Sequence, residues 1–72
     1  MSSPLNPSLP GVRLLQTWIR NHQLISVDVS GQPRLEGRLV WQDSEFLALE
    51  IDADAGVTLI NRHQISIIRP LG

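Results

Sequence analysis

The 72-residue chain contains no cysteine, no lysine and no tyrosine. Without cysteine there is no disulfide framework and no thiolate zinc site. The two histidines, His22 and His63, lie too far apart in sequence to make a metal-ligand spacing. No apolar run approaches the ~20 residues of a transmembrane helix, and no signal-peptide core is present. Positive charge is scarce as well: six arginines against seven acids leave a formal charge of −1. That balance argues against a protein that holds nucleic acid by bulk charge. The reading is a cytoplasmic protein with no membrane segment and no cofactor. One short chain without disulfide or metal falls where a single core is marginal, roughly below 70–80 residues. Oligomerisation is the remaining way to stabilise it.

What is present has two periods. Residues 1–8 carry two prolines among polar residues and read as a disordered or loosely docked tail. Ser8 offers a helix N-cap, and Pro10 suits the first turn. Val12, Leu15, Trp18 and Ile19 then recur at helical spacing, which predicts an amphipathic helix over about 9–21. Asn21 and His22 close it, with the His22 side chain as a C-terminal cap. Alternation of period two follows, predicting strands at about 24–30, 34–42, 45–52, 56–61 and 65–69. Gly37 inside the second strand marks a bend or a close backbone approach. Trp41 falls in the inward phase with Leu35, Gly37 and Leu39, or toward a subunit interface. The fold class is mainly β: a helix, then a strongly bent five-stranded antiparallel sheet forming a small open barrel over residues 9–70. Such a sheet has open edges that need covering or pairing with another copy.

Two segments carry a family resemblance. Leu35-x-Gly37-x-Leu39-x-x-x-Asp43 resembles the first Sm motif, and Asn61-Arg62-His63-Gln64-Ile65-Ser66 the second motif of its bacterial branch, the Hfq proteins. Leu9-Pro10-x-Val12-Arg13, Gln16 and Trp41-Gln42-Asp43 are similar to the cyanobacterial Hfq subgroup. The resemblance implies an Sm-like fold assembled as a homo-hexameric ring, strand four of one subunit pairing with strand five of the next. It also implies an RNA chaperone in post-transcriptional regulation, without DNA specificity, binding uridine-rich RNA near the pore and adenine-rich RNA on the opposite face.

Carried over residue by residue, the resemblance is uneven. Arg62 and His63 match the family's Lys-His pair, where a guanidinium can fork onto phosphate and an imidazole can meet a uracil edge or ribose hydroxyl. Asn61 stands where the family usually has an aromatic. Phe46 is the candidate stacking aromatic of the same site if the preceding turn shifts by one residue; otherwise Glu45 takes that place and Phe46 is core. Gly11 replaces the family's glutamine near the helix start. On the opposite face Asp28 replaces a stacking tyrosine, and Arg34 is left as the phosphate contact. A stacking platform contributes about 1–3 kcal/mol per base, so adenine binding is expected to be weak. On the outer rim, Arg13, Gln16 and Arg20 are the candidates, with Ile19 interrupting the family's arginine cluster.

No Ser/His/Asp set and no Gly-rich phosphate loop appears, so no enzymatic activity is expected. Five of the seven acids fall within residues 43–54. Asp52-x-Asp54 lacks the rest of a calcium-loop pattern, which leaves an acidic solvated stretch suited to docking a protein. Asp43 is a candidate acceptor for backbone groups in its turn. The alternative function is therefore a ring-shaped protein-interaction scaffold of the Hfq family that has lost much of its RNA surface. An unrelated SH3-like adaptor barrel fits the strand count but not the second motif.

Overall fold

A computed structural model describes residues 5–72, so the first half of the expected tail lies outside the described residues. The chain forms helix α1 (Pro10–Arg20), then β1 (Leu24–Val29), β2 (Leu35–Gln42), β3 (Phe46–Glu50) and β4 (Thr58–Asn61). A single 3₁₀ turn at Arg62–Gln64 leads into β5 (Ile65–Pro70). The strands make one antiparallel, bent and unclosed sheet in the order β4-β3-β2-β1-β5. β4 and β5 are thus its two free edges.

The helix begins one residue later than Ser8 capping would allow. Leu9 is the N-cap and makes no side-chain cap bond; Pro10 fills the first helical turn, where no amide partner is needed. The Ser8 amide donates instead to Asn6 Oδ1 at 2.9 Å, and Leu9 N–H to Asn6 O at 3.0 Å. These bonds form a local turn just ahead of the helix. At the other end His22 caps through its backbone rather than its ring. It adopts φ of +52°, in the left-handed region. Its amide donates to Ile19 O at 3.2 Å and the Gln23 amide to Trp18 O at 2.9 Å, the paired bonds of a Schellman ending.

The core is a cluster of Ile25, Val27, Leu39, Leu47, Leu49 and Ile60, one or two residues from each of four strands. Leu15, Trp18 and Ile19 lay the helix stripe across it, and Ile65 and Ile68 add the last strand. The helix thus covers the sheet with the face its spacing predicted.

β2 bends at two places. At Gly37 the end of β3 crosses so closely that a Cβ would stand 2.8 Å from the Glu50 carbonyl oxygen. Between Leu39 and Trp41 the register slips against β3: Leu39 faces Leu49, but Trp41 faces Ala48. The extra residue, Val40, is a β-bulge, and beyond it the inward and outward phases exchange. Trp41, expected inward or toward a subunit interface, is 40% exposed in the single chain and so is not a core residue. Gln42, expected outward, turns in. β1 and β3 also stop earlier than alternation implied. β3 ends at Glu50 because Asp52 turns the chain, accepting the Asp54 amide on Oδ1 at 3.0 Å and the Ala55 amide on its carbonyl at 3.0 Å.

Gly37→Ala places a methyl against backbone that cannot swing away. Overpacking of this kind costs typically about 1–3 kcal/mol. The expected result is a lower urea midpoint at fixed protein concentration, with an unchanged m-value.

Candidate nucleic-acid interface

Two loops meet at one end of the sheet: the β2–β3 turn, residues 43–45, and the 3₁₀ turn between β4 and β5. Asp43 organises the first. Its Oδ1 accepts the amides of Glu45 and Phe46 at 2.8 and 2.7 Å, and its own amide donates to Phe46 O at 2.9 Å. Asn61 organises the second in the same manner, its Oδ1 accepting the His63 amide at 2.9 Å. Phe46 lies opposite Asn61 in the β3–β4 ladder, and the Arg62 amide donates to Glu45 O at 2.8 Å. Arg62, His63, Asn61 and Phe46 are therefore neighbours in space.

Phe46 is not a core residue. It is 37% exposed, because Leu47 and Leu49 take the inward phase of β3 and leave Phe46 on the outer side. Glu45 reaches His63, its Oε2 lying 3.4 Å from His63 Nε2, with both side chains 65% exposed. This contact is an ion pair only when the imidazole is protonated.

Arg62 departs most from the expectation of a free phosphate fork. Its Nη1 donates to Asp43 O and its Nη2 to Gln42 Oε1, each at 2.5 Å. Both Nη nitrogens already bond within the chain. Gln42 is available for this contact only because the Val40 bulge turned it inward. No pattern in the sequence marks that bulge, so residue spacing alone does not place Gln42 at this site. The Gln42 Nε2 is buried and has no hydrogen-bond partner among the described residues.

Gly11 comes to the same region. With Leu9, Val12, Trp18, Leu47 and Arg62 it lines an open, mainly apolar cleft of about 510 Å³ between α1 and β5. A Cβ at Gly11 would meet nothing within 4 Å.

The other candidates lie elsewhere. Arg34, just before β2, is engaged within the chain: its Nε donates to Asp28 Oδ1 at 2.8 Å. The hydrogen bond and the charge of Asp28 raise its pKa above the ordinary arginine value. Arg13, Gln16 and Arg20 are all exposed along α1. Arg13 Nε makes a long 3.5 Å contact to Pro7 O. Among the described residues no group of three or more His, Asp or Glu side chains converges to hold a metal ion. Among the described residues no helix is long and apolar enough to cross a membrane.

A single helix laid over a bent, unclosed five-stranded antiparallel sheet, with a basic turn between its last two strands, defines the Sm-like class. Comparison with known proteins narrows this further. The sequence profile described as "Hfq related" matches residues 9–70, nearly the whole chain, and the protein belongs to the Hfq-related family. Among solved structures, an Hfq protein from Anabaena sp. is similar at 27% identity with a TM-score of 0.76, over 88% of this chain and 98% of that one. The crystal structure of the pleiotropic translational regulator Hfq matches in fold, with a TM-score of 0.70 at 19% identity, over 79% of this chain and 92% of that one. No curated protein matches the sequence.

Asp43→Ala removes the acceptor of two turn amides and is expected to lower stability by about 1–2 kcal/mol. Asp43→Asn keeps an Oδ1 acceptor and should retain most of it. Thermal denaturation of the two variants beside the parent chain checks the difference.

Proposed function

We propose that the protein is an Hfq-like RNA-binding protein, a cytoplasmic RNA chaperone of post-transcriptional regulation that works by holding RNA and promoting encounter, without catalysing a reaction. The observation that carries this reading is the juxtaposition of the Arg62–His63 turn with the exposed Phe46 ring and Asn61 amide in a member of the Hfq-related family. An exposed aromatic beside hydrogen-bonding polar groups is how single-stranded RNA is held, base face on ring and base edge on side chain. Uridine-rich RNA is the preferred class on this reading, by resemblance to the family's pore site. Adenine-rich RNA is bound weakly, because Asp28 offers no π-face and engages Arg34.

A closed homo-hexameric ring is the assembly that goes with it. The two free edges, β4 and β5, would pair between subunits and so satisfy the unpaired strand backbone. Both carry outward apolar side chains, Leu59 at 50% and Ile67 at 42% exposure. Six copies of the Arg62–His63 turn would then surround one pore.

The second reading, a protein-interaction scaffold of the same ring form, is favoured by a different observation. Arg62 and Arg34 both donate to acceptors of their own chain, which leaves fewer of their N–H groups to meet a phosphate.

Titration against short uridine-rich and adenine-rich RNAs at low and physiological salt separates the two readings. The expected result is measurable uridine-rich binding that an Arg62→Ala/His63→Ala variant loses, and adenine-rich binding that is far weaker. Unmeasurable uridine-rich affinity at low salt would leave the scaffold. Gly11→Gln is a gain-of-function counterpart: the cleft wall has room for the side chain, glycine is a poor helix former, and uridine-rich affinity is expected to rise. Light scattering tests the ring, and a monomer would remove it.

A further inference from the structure

We propose that Arg62 is a positioning residue, aimed by Gln42, which clamps the β4–β5 turn onto the β2–β3 turn so that His63, Asn61 and Phe46 present one surface to RNA. The inference rests on the RNA reading above for its ligand, but its geometry is independent of that reading.

The guanidinium joins parts of the chain far apart in sequence: Nη1 to the Asp43 carbonyl and Nη2 to Gln42 Oε1, each at 2.5 Å. The backbone runs the same way, with the Arg62 amide on Glu45 O at 2.8 Å. Three hydrogen bonds from one residue thus hold the two turns together. Each turn is in turn fixed by its own acid or amide, Asp43 beneath Glu45 and Phe46 and Asn61 beneath His63. A planar fork suits two acceptors at a fixed angle. A lysine ammonium, a compact point charge on a flexible stem, does not reproduce that geometry.

Gln42 completes the clamp for a reason internal to β2. The Val40 bulge reverses the strand's phase and brings an amide inward beside Arg62. The same amide leaves Nε2 buried and, among the described residues, without a partner. A buried donor left unmade is costly, so Gln42 at this place is poor for stability alone. What it supplies is a neutral acceptor for Arg62. A carboxylate would bind the guanidinium as well, but would add a third acid to a turn that already holds Asp43 and Glu45. The clamp keeps Arg62 fixed without further repelling phosphate from His63 and Phe46.

The test uses the full chain and four variants: Arg62→Ala, Arg62→Lys, Gln42→Ala and the double Arg62→Ala/Gln42→Ala, with His63→Ala as the ligand-contact comparator. Uridine-rich RNA affinity is measured across a salt series, and amide hydrogen exchange is followed for Glu45, Phe46, Arg62 and His63. Arg62→Ala and Gln42→Ala are each expected to weaken binding about tenfold with an unchanged salt slope. The double variant should be no weaker than Arg62→Ala, and Arg62→Lys should not rescue. The four turn amides should exchange faster in both single variants while those of β1 do not. A slope reduced by about 0.7 or more in Arg62→Ala marks a lost phosphate contact on single-stranded RNA and overturns the proposal. So do additive losses in the double variant, or rescue by lysine. If the parent chain binds no RNA, the functional reading fails alone. Hydrogen exchange then decides the clamp, and unchanged turn amides in Arg62→Ala and Gln42→Ala would overturn it.

Discussion

The structure depends on one constraint: a sheet of only five short strands must curve far enough to enclose a core that a single helix can cover. β2 is the strand that has to bend, and it does so by two separate means. At Gly37 it gives up a side chain, which lets the β3 backbone at Glu50 cross within the distance a Cβ would forbid. At Val40 it adds a residue, which raises the local twist. Neither device serves packing alone. The first brings Leu39 and Leu49 together as core partners, both fully buried. The second decides which side chain of the strand's end faces Arg62. Curvature and the composition of the Arg62–His63 turn therefore share one physical cause.

That cause also explains which features were legible from residues alone. The helix stripe of Val12, Leu15, Trp18 and Ile19 and the alternation of Ile25 with Val27 are periodic signals, and a regular element preserves them from end to end. Gly37 was legible because the absence of a side chain in a strand is itself a signal. Asp43 was legible because a short acid at a turn has a known local use. Alternation fails for the inward phase of Trp41 and the outward phase of Gln42 for a single reason. Alternation counts residues, and a bulge inserts one without changing composition, so every residue after Val40 falls in the opposite phase. Phe46 was ambiguous for the same reason, since its role depended on where the turn placed the start of β3. His22 is polar and ends the helix, which in sequence suggests a side-chain cap. The left-handed backbone that it actually adopts is usually left to glycine.

Arginine usage follows a consistent logic. Four of the six arginines donate to acceptors of their own chain: Arg13 to Pro7 O, Arg34 to Asp28, Arg38 to His22 O, and Arg62 to Gln42 and Asp43. Three of these acceptors are backbone carbonyls outside the helix or at its edge, groups that need a donor wherever water is scarce. A guanidinium can satisfy such a carbonyl and keep further N–H groups outward, which an ammonium on a flexible stem does less well. A chain without lysine is thus one in which cations serve as architectural donors. These bonds leave the guanidinium charges in place, and among the described arginines only Arg34 pairs with an acid; the net charge of −1 is set by six bases against seven acids.

This has a consequence for recognition on the proposed function. Long-range attraction of a polyanion needs an excess of unpaired positive charge, and a chain with net charge −1 does not supply it. Affinity would then have to come from short-range terms, the stacking of a base on Phe46 and hydrogen bonds from His63 and Asn61, which act only if those groups are held in register. A ring would repeat them around one axis, so that several weak contacts on one strand act together through effective concentration. Short-range contacts lose strength with small displacements, whereas a charged surface tolerates them. In that setting the side chains that fix the two turns matter as much as those that would touch the ligand.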